Sequence, residues 1–196
     1  MNKIPLLQKT LGADWDKLSS VIQQHYIVSP ESSTCIKGKM EIDYPNFLQP
    51  LIFIIHLFGG LVFKRGNEVI TEVRKTSSAE NTELCWKRTM FYPDNKKDSF
   101  YSRMMYLDDH QLIEKIRFGF GLRHIVSVDD GNLIYRSNGY TWQCGKAQLI
   151  FPDWLLLGEA IIVERPISDQ QFSLNFSIKH PLWGVSYWYK GEFYYC

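Results

Sequence analysis

Arg88 interrupts an otherwise apolar face. In the segment 84–92, Leu84, Trp86, Met90 and Tyr92 recur at every second position, and Arg88 falls on their side. In 112–118, Leu112, Ile116 and Phe118 share a side with Glu114. In 159–165, Glu159 keeps step with Ile161, Val163 and Arg165. A charge on a core face is costly unless it meets a partner or water. Two kinds of chemistry fit Arg88 and Glu114. They form a structural ion pair, or Arg88 grips a ligand carboxylate or phosphate in a two-pronged way while Glu114 orients it. In an enzyme on the same scaffold, burial would raise the Glu114 pKa for acid–base work, with Arg88 stabilising developing charge.

The other reactive residue types are dispersed. The histidines stand singly at 25, 56, 110, 124 and 180. His56 lies within the apolar run LIFIIHLFGGLVF (51–63), where a hydrogen-bonded core histidine and a ligand-facing one are the alternatives. No HExxH, GxSxG or P-loop pattern occurs. Gly119-Phe120-Gly121 lacks the third glycine of a dinucleotide fingerprint and reads as a bend between strands. The cysteines at 35, 85, 144 and 196 form no CxxC pair. Free thiols in a reducing cytoplasm are the expectation. No metal and no cofactor are expected.

The elements that must hold these residues are mostly strands. From about Glu68 the apolar pattern has period two, in segments such as VITEVRK, LCWKRTMFY and QFSLNFSIK. Phe172, Leu174, Phe176 and Ile178 face one way in the last of these; Val185, Tyr187, Tyr189 and Phe193 repeat the pattern later. Turn-rich separators (YPDNKKD, DDGN, ISDQ) imply antiparallel hairpins. Before them, Leu7, Leu11, Trp15, Leu18 and Ile22 recur at helical spacing, broken at Gly12, with Asp14 as N-cap of a second segment reaching Tyr26. A further helix is expected over 46–57, ended by Gly59-Gly60.

The expected fold is α+β, mostly antiparallel: a strongly curved sheet or incomplete barrel of about nine strands. The 46–57 helix, apolar on nearly every side, would pack on its concave side. One domain over 1–196 is expected, with 1–63 mainly helical and 64–196 forming the sheet. The uninterrupted apolar run falls short of the roughly 20 residues of a transmembrane helix, and the N-terminus lacks a signal-peptide pattern. A net charge of +1 gives no field to recruit nucleic acid. The aromatics at 183–195 have no basic groove beside them.

The order and spacing of short motifs give a resemblance. Leu11-Gly12-x-x-Trp15-x-x-Leu18 precedes His25, and Gly38 and Glu41 sit in the first strand. Trp86-x-Arg88, Ser99, Glu114 and Phe118-Gly119 follow, then Glu159, Phe172, Phe176, Pro181-Leu182-x-Gly184 and Tyr189-x-Gly191. Together they resemble the bacterial domain of unknown function 4166 family, over about Leu6 to Phe193. Relatives also occur appended to saccharopine-dehydrogenase-like Rossmann proteins, which implies small-molecule metabolism. The resemblance implies no established activity, and it singles out Trp86, Arg88 and Glu114. Where relatives carry a proline-rich turn after the apolar helix, this chain has Phe58-Gly59-Gly60-Leu61.

The functional expectation is a cytoplasmic binding module. A small amphipathic molecule, such as an acyl chain or an isoprenoid or polyketide-like compound, would occupy a cavity between sheet and helix. Arg88, Glu114, Trp86, His56 and Glu159 are the candidate ligand-binding residues. An enzyme using Glu114 and Arg88, and a structural or interaction domain with no cavity, are the alternatives.

Overall fold

The computed structural model describes residues 4–29, 32–78 and 82–196. Its core is a closed barrel rather than an open curved sheet. The strands run β1 (Ser33–Asp43), β2 (Gly66–Ser77), β3 (Glu83–Phe91), β4 (Lys97–Asp108), β5 (Gln111–Lys115), β6 (Phe120–Asp129), β7 (Asn132–Cys144), β8 (Ala147–Phe151), β9 (Glu159–Pro166), β10 (Gln171–His180) and β11 (Gly184–Tyr195). Their order is β6-β5-β4-β3-β2-β1-β11-β10-β9-β7-β8, and a further β6–β7 pairing shuts the ring. Ten strands close the barrel, and β8 is an extra strand on the outer half of β7. All pairings are antiparallel. Closure removes the unpaired edges that an incomplete barrel of nine strands would expose.

Alternation along each strand selects the inward residues. On β10 they are Phe172, Leu174, Phe176, Ile178 and His180. On β11, Tyr187, Tyr189 and Phe193 point inward, but Val185 is exposed, because a bulge between Ile178 and Lys179 shifts the register there. Gly38 on β1 leaves room for its neighbour: a Cβ there would stand 2.8 Å from the Phe193 ring and 2.0 Å from the Glu192 carbonyl oxygen.

The helices pack at the two ends of the barrel. The chain opens with α1 (Leu6–Leu11), a 3₁₀ turn (Gly12–Lys17) and α2 (Ser20–Tyr26). Leu7, Leu11, Trp15, Leu18 and Ile22 are all buried, so the helical spacing was a true core stripe. Asp14 is no cap; it lies inside the 3₁₀ turn and pairs with Lys17. These segments close one end of the barrel, and α2 drives His25 and Tyr26 into the interior. The helix in the apolar run, α3 (Gln49–Leu57), lies at the other end; Leu51, Ile52 and Ile55 pack against the core, but none of its residues lines the interior space. Among its residues only Ile52 is buried, while Phe53, Ile54 and Leu57 are exposed. Gly59, at φ 77°, ends α3 as expected.

Cys35 and Cys196 form a disulfide across a sequence separation of 161. The expectation of four free thiols is therefore corrected at these two positions; Cys85 and Cys144 are free. The spacing of the two cysteines carries no sign of this pairing, because β1 and β11 become neighbours only when the barrel closes. Among the described residues no helix is long and apolar enough to cross a membrane.

Candidate functional site: a charged lumen

Arg88 on β3 and Glu114 on β5 both face the barrel interior, one strand apart across β4. Arg88 Nη2 donates to Glu114 Oε1 at 3.1 Å, and Nη1 donates to Ser102 Oγ on β4 at 2.6 Å. The guanidinium is sandwiched between the rings of Trp86 and Phe100, 4.9 and 5.0 Å from their centroids. The side chains of Arg88 and Glu114 are 17% and 16% exposed, so the pair is largely desolvated. Burial alone would raise the Glu114 pKa. The Arg88 charge, with His124 and Ser102, overcomes that and holds the carboxyl well below its ordinary value. The direction of this shift favours the ionised form of Glu114, opposite to the raised pKa that acid–base work would need.

A second charged group lies beside the first, on faces not singled out by the sequence patterns above. Lys75 on β2 is fully buried, with Nζ 2.8 Å from His25 Nδ1 and a second bond to the His25 carbonyl. Burial brings its pKa down to about 7, opposed by the Glu164 charge. Glu164 on β9 is buried too, and burial pushes it up to about 7 against the Tyr26 hydrogen bond and the Lys75 charge. Burial, then the neighbouring Lys75 and Arg88 charges, hold the His25 imidazole well below its ordinary pKa, so it is neutral. The signal for these residues was present. Lys75 is in step with Val69, Thr71 and Val73, and Glu164 with Ala160 and Ile162.

The remaining candidates lie elsewhere. Glu159 is outward, one residue out of phase with the inward set on β9, and pairs with Arg136 at 2.8 Å on the surface. Because Ile161-Ile162-Val163 is apolar in both phases, alternation alone does not tell which phase of β9 faces inward. His56 lies outside the lumen on α3, with Nδ1 3.0 Å from the Leu61 carbonyl and 3.7 Å from Asp98. Trp86 is buried in the lumen, as its face required.

Several buried polar atoms here have no hydrogen-bond partner among the described residues: Trp86 Nε1, both His124 ring nitrogens, Tyr135 Oη and Glu164 Oε2. His124 Nε2 is 3.8 Å from Glu114 Oε2. Each unmade bond of this kind costs about 1–3 kcal/mol. The interior is otherwise well filled: the space left beside Arg88, Glu114, Tyr135 and Glu164 is about 50 Å³. That holds a few water molecules and is far too small for an acyl chain. Three methionines, Met40, Met90 and Met104, line it. Among the described residues no cluster of His, Cys, Asp and Glu is arranged to hold a metal ion.

A closed antiparallel barrel with a helical plug and a charged interior defines the class of protein. The chain belongs to the family described as Domain of unknown function (DUF4166), whose model matches residues 18–193. No curated protein matches it.

Proposed function

We propose that the domain is a binding module whose barrel lumen takes the polar end of a small amphipathic molecule. The carrying observation is the set of buried polar atoms with no hydrogen-bond partner among the described residues, Trp86 Nε1, Tyr135 Oη and Glu164 Oε2, around a small interior space. A ligand hydroxyl, amine or carboxylate would satisfy them. Met40, Met90 and Met104 supply unbranched, polarisable side chains that re-pack around an apolar tail. Admission requires more room than the closed lumen has, and α2 is the element whose withdrawal makes it. Tyr26 and His25 now occupy the hydrogen-bonding positions on Glu164 and Lys75 that a ligand head group would take over.

Native mass spectrometry of gently purified protein tests this reading. A retained adduct, or displacement of a fluorescent fatty-acid probe that weakens in Arg88→Met, is expected. Apo mass alone together with no probe binding would sink it.

The small interior space favours one other reading, a structural or interaction domain whose charged lumen fixes strand register. In that case the unpartnered atoms hold ordered water and nothing else, and a structure determined from protein saturated with the probe has an unchanged lumen.

A further inference from the structure

Strand direction places α3 and the β3–β4, β5–β6, β7–β8, β8–β9 and β10–β11 connections at one end of the barrel, opposite α1 and α2. That end carries an exposed apolar rim. Phe53, Ile54 and Leu57 come from α3, Phe118 from the turn after β5, Trp154 from the turn after β8 and Leu182 from the β10–β11 turn. Phe118 is 69% exposed and Leu182 83%. Single exposed apolar residues are ordinary, but a set collected from four separate connections marks a surface that meets something.

Charge indicates what that is. The carboxylates at this end are engaged: Asp43 with Arg65, Asp94 with Lys64, Asp98 with His56 and Glu159 with Arg136. Asp153 accepts from Ser137 Oγ and the Gly139 N–H. Arg117, Lys146 and Lys179, at the same end, are exposed and make no ion pair among the described residues. At the opposite end the turns carry Asp108, Asp109, Asp129, Asp130 and Asp169. Exposed apolar residues occur at that end too (Ile4, Ile27, Leu107 and Ile167), but they share it with these turn aspartates, whereas the rim of Phe118, Trp154 and Leu182 shares its end with free cations. Apolar side chains flanked by free cations match the layering of an anionic bilayer, acyl chains beneath charged head groups. Trp154 has the amphipathic ring suited to the head-group level. A second copy fits worse, since a symmetric contact would bring the free cations toward one another.

We propose that the domain docks end-on, through α3 and the neighbouring turns, onto the surface of an anionic lipid bilayer. The test is flotation with phosphatidylcholine vesicles, with and without phosphatidylglycerol. The wild-type protein should float with phosphatidylglycerol-containing vesicles and be released by salt. Phe118→Asp/Leu182→Asp should cut the bound fraction roughly tenfold. Lys146→Glu/Lys179→Glu should weaken it, and Asp130→Asn at the far end should leave it unchanged. All these residues are exposed, so thermal unfolding of the variants should match wild type and exclude misfolding. No flotation, or flotation equal on neutral vesicles and indifferent to both double variants, overturns the proposal. So does self-association abolished by Phe118→Asp/Leu182→Asp without any vesicle binding, which would make the face a contact between copies.

Discussion

The Tyr26 hydroxyl donates to Glu164 Oε1 at 2.8 Å, joining residues 138 positions apart. This bond ties α2 to the barrel wall, and its acceptor has a second oxygen with no partner among the described residues. Tyr26→Phe leaves that carboxyl without its donor inside the lumen. The expected loss is about 1–3 kcal/mol, read as a lower urea midpoint with an unchanged slope. A loss within experimental error would mean that the bond is not formed in solution.

Arg88 and Glu114 should behave as a coupled pair. Arg88→Met and Glu114→Gln each leave the other group stranded, at a cost approaching the 3–5 kcal/mol typical of a broken buried pair. The double variant should recover much of that loss. Thermal denaturation of the four proteins gives the coupling directly. A coupling near zero would show that water replaces the missing partner.

Stability should pass through a trough near neutral pH. The folded Glu164 carboxyl titrates at about 7 against an ordinary 4.5, so the folded protein holds an extra proton between those values. Stability from this group therefore falls as pH rises from 4.5 to about 7. Lys75 titrates at about 7 against 10.5, so the unfolded chain holds the extra proton over that range, and stability rises with pH through it. Glu114 acts oppositely to Glu164: its lowered pKa gives stability that is lost as pH falls below 4.5. Urea midpoints across pH should show the trough. Glu164→Gln should flatten its acid side and Lys75→Met its alkaline side.

The inward phase of β10 has a simple test. Phe172 is fully buried and Ser173 faces outward. Phe172→Ala should cost about 3–5 kcal/mol, whereas Ser173→Ala should stay within about 0.5 kcal/mol. Equal losses would mean that the register is wrong.

Cys196→Ser should lower stability by about 2–5 kcal/mol, the range for losing a native disulfide. A reducing agent should produce the same shift in the wild-type protein and none in the variant. Mass spectrometry after alkylation under denaturing conditions should find two modified thiols in the native protein and four after reduction.

The strands were largely legible because an inward face repeats every second residue and the turns between them are rich in Asp, Asn and Gly. Arg88 and Glu114 stood out on such faces, and both lie in the lumen. Lys75 escaped notice at the end of VITEVRK, where a lysine resembles an ordinary strand terminus. β8 was missed because Ala147–Ile150 are exposed on both faces, so no alternation marks them. The apolar run was misplaced for a different reason. Composition indicates that α3 avoids water, but not whether it meets a core or a partner. Closure of the ring and the disulfide depend on β6 meeting β7 and β1 meeting β11, contacts that no local pattern encodes.

The Cys35–Cys196 bond has a topological consequence. Residues 35–196 form a covalent circle that contains the barrel strands except for the first two residues of β1. The segment carrying α1 and α2 hangs outside that circle as a tethered stopper, held by packing and a few hydrogen bonds. The withdrawal of α2 proposed above would therefore break no covalent link of the hoop. His25 and Tyr26 travel with the stopper, so uncorking would bare Lys75 and Glu164 in the same movement.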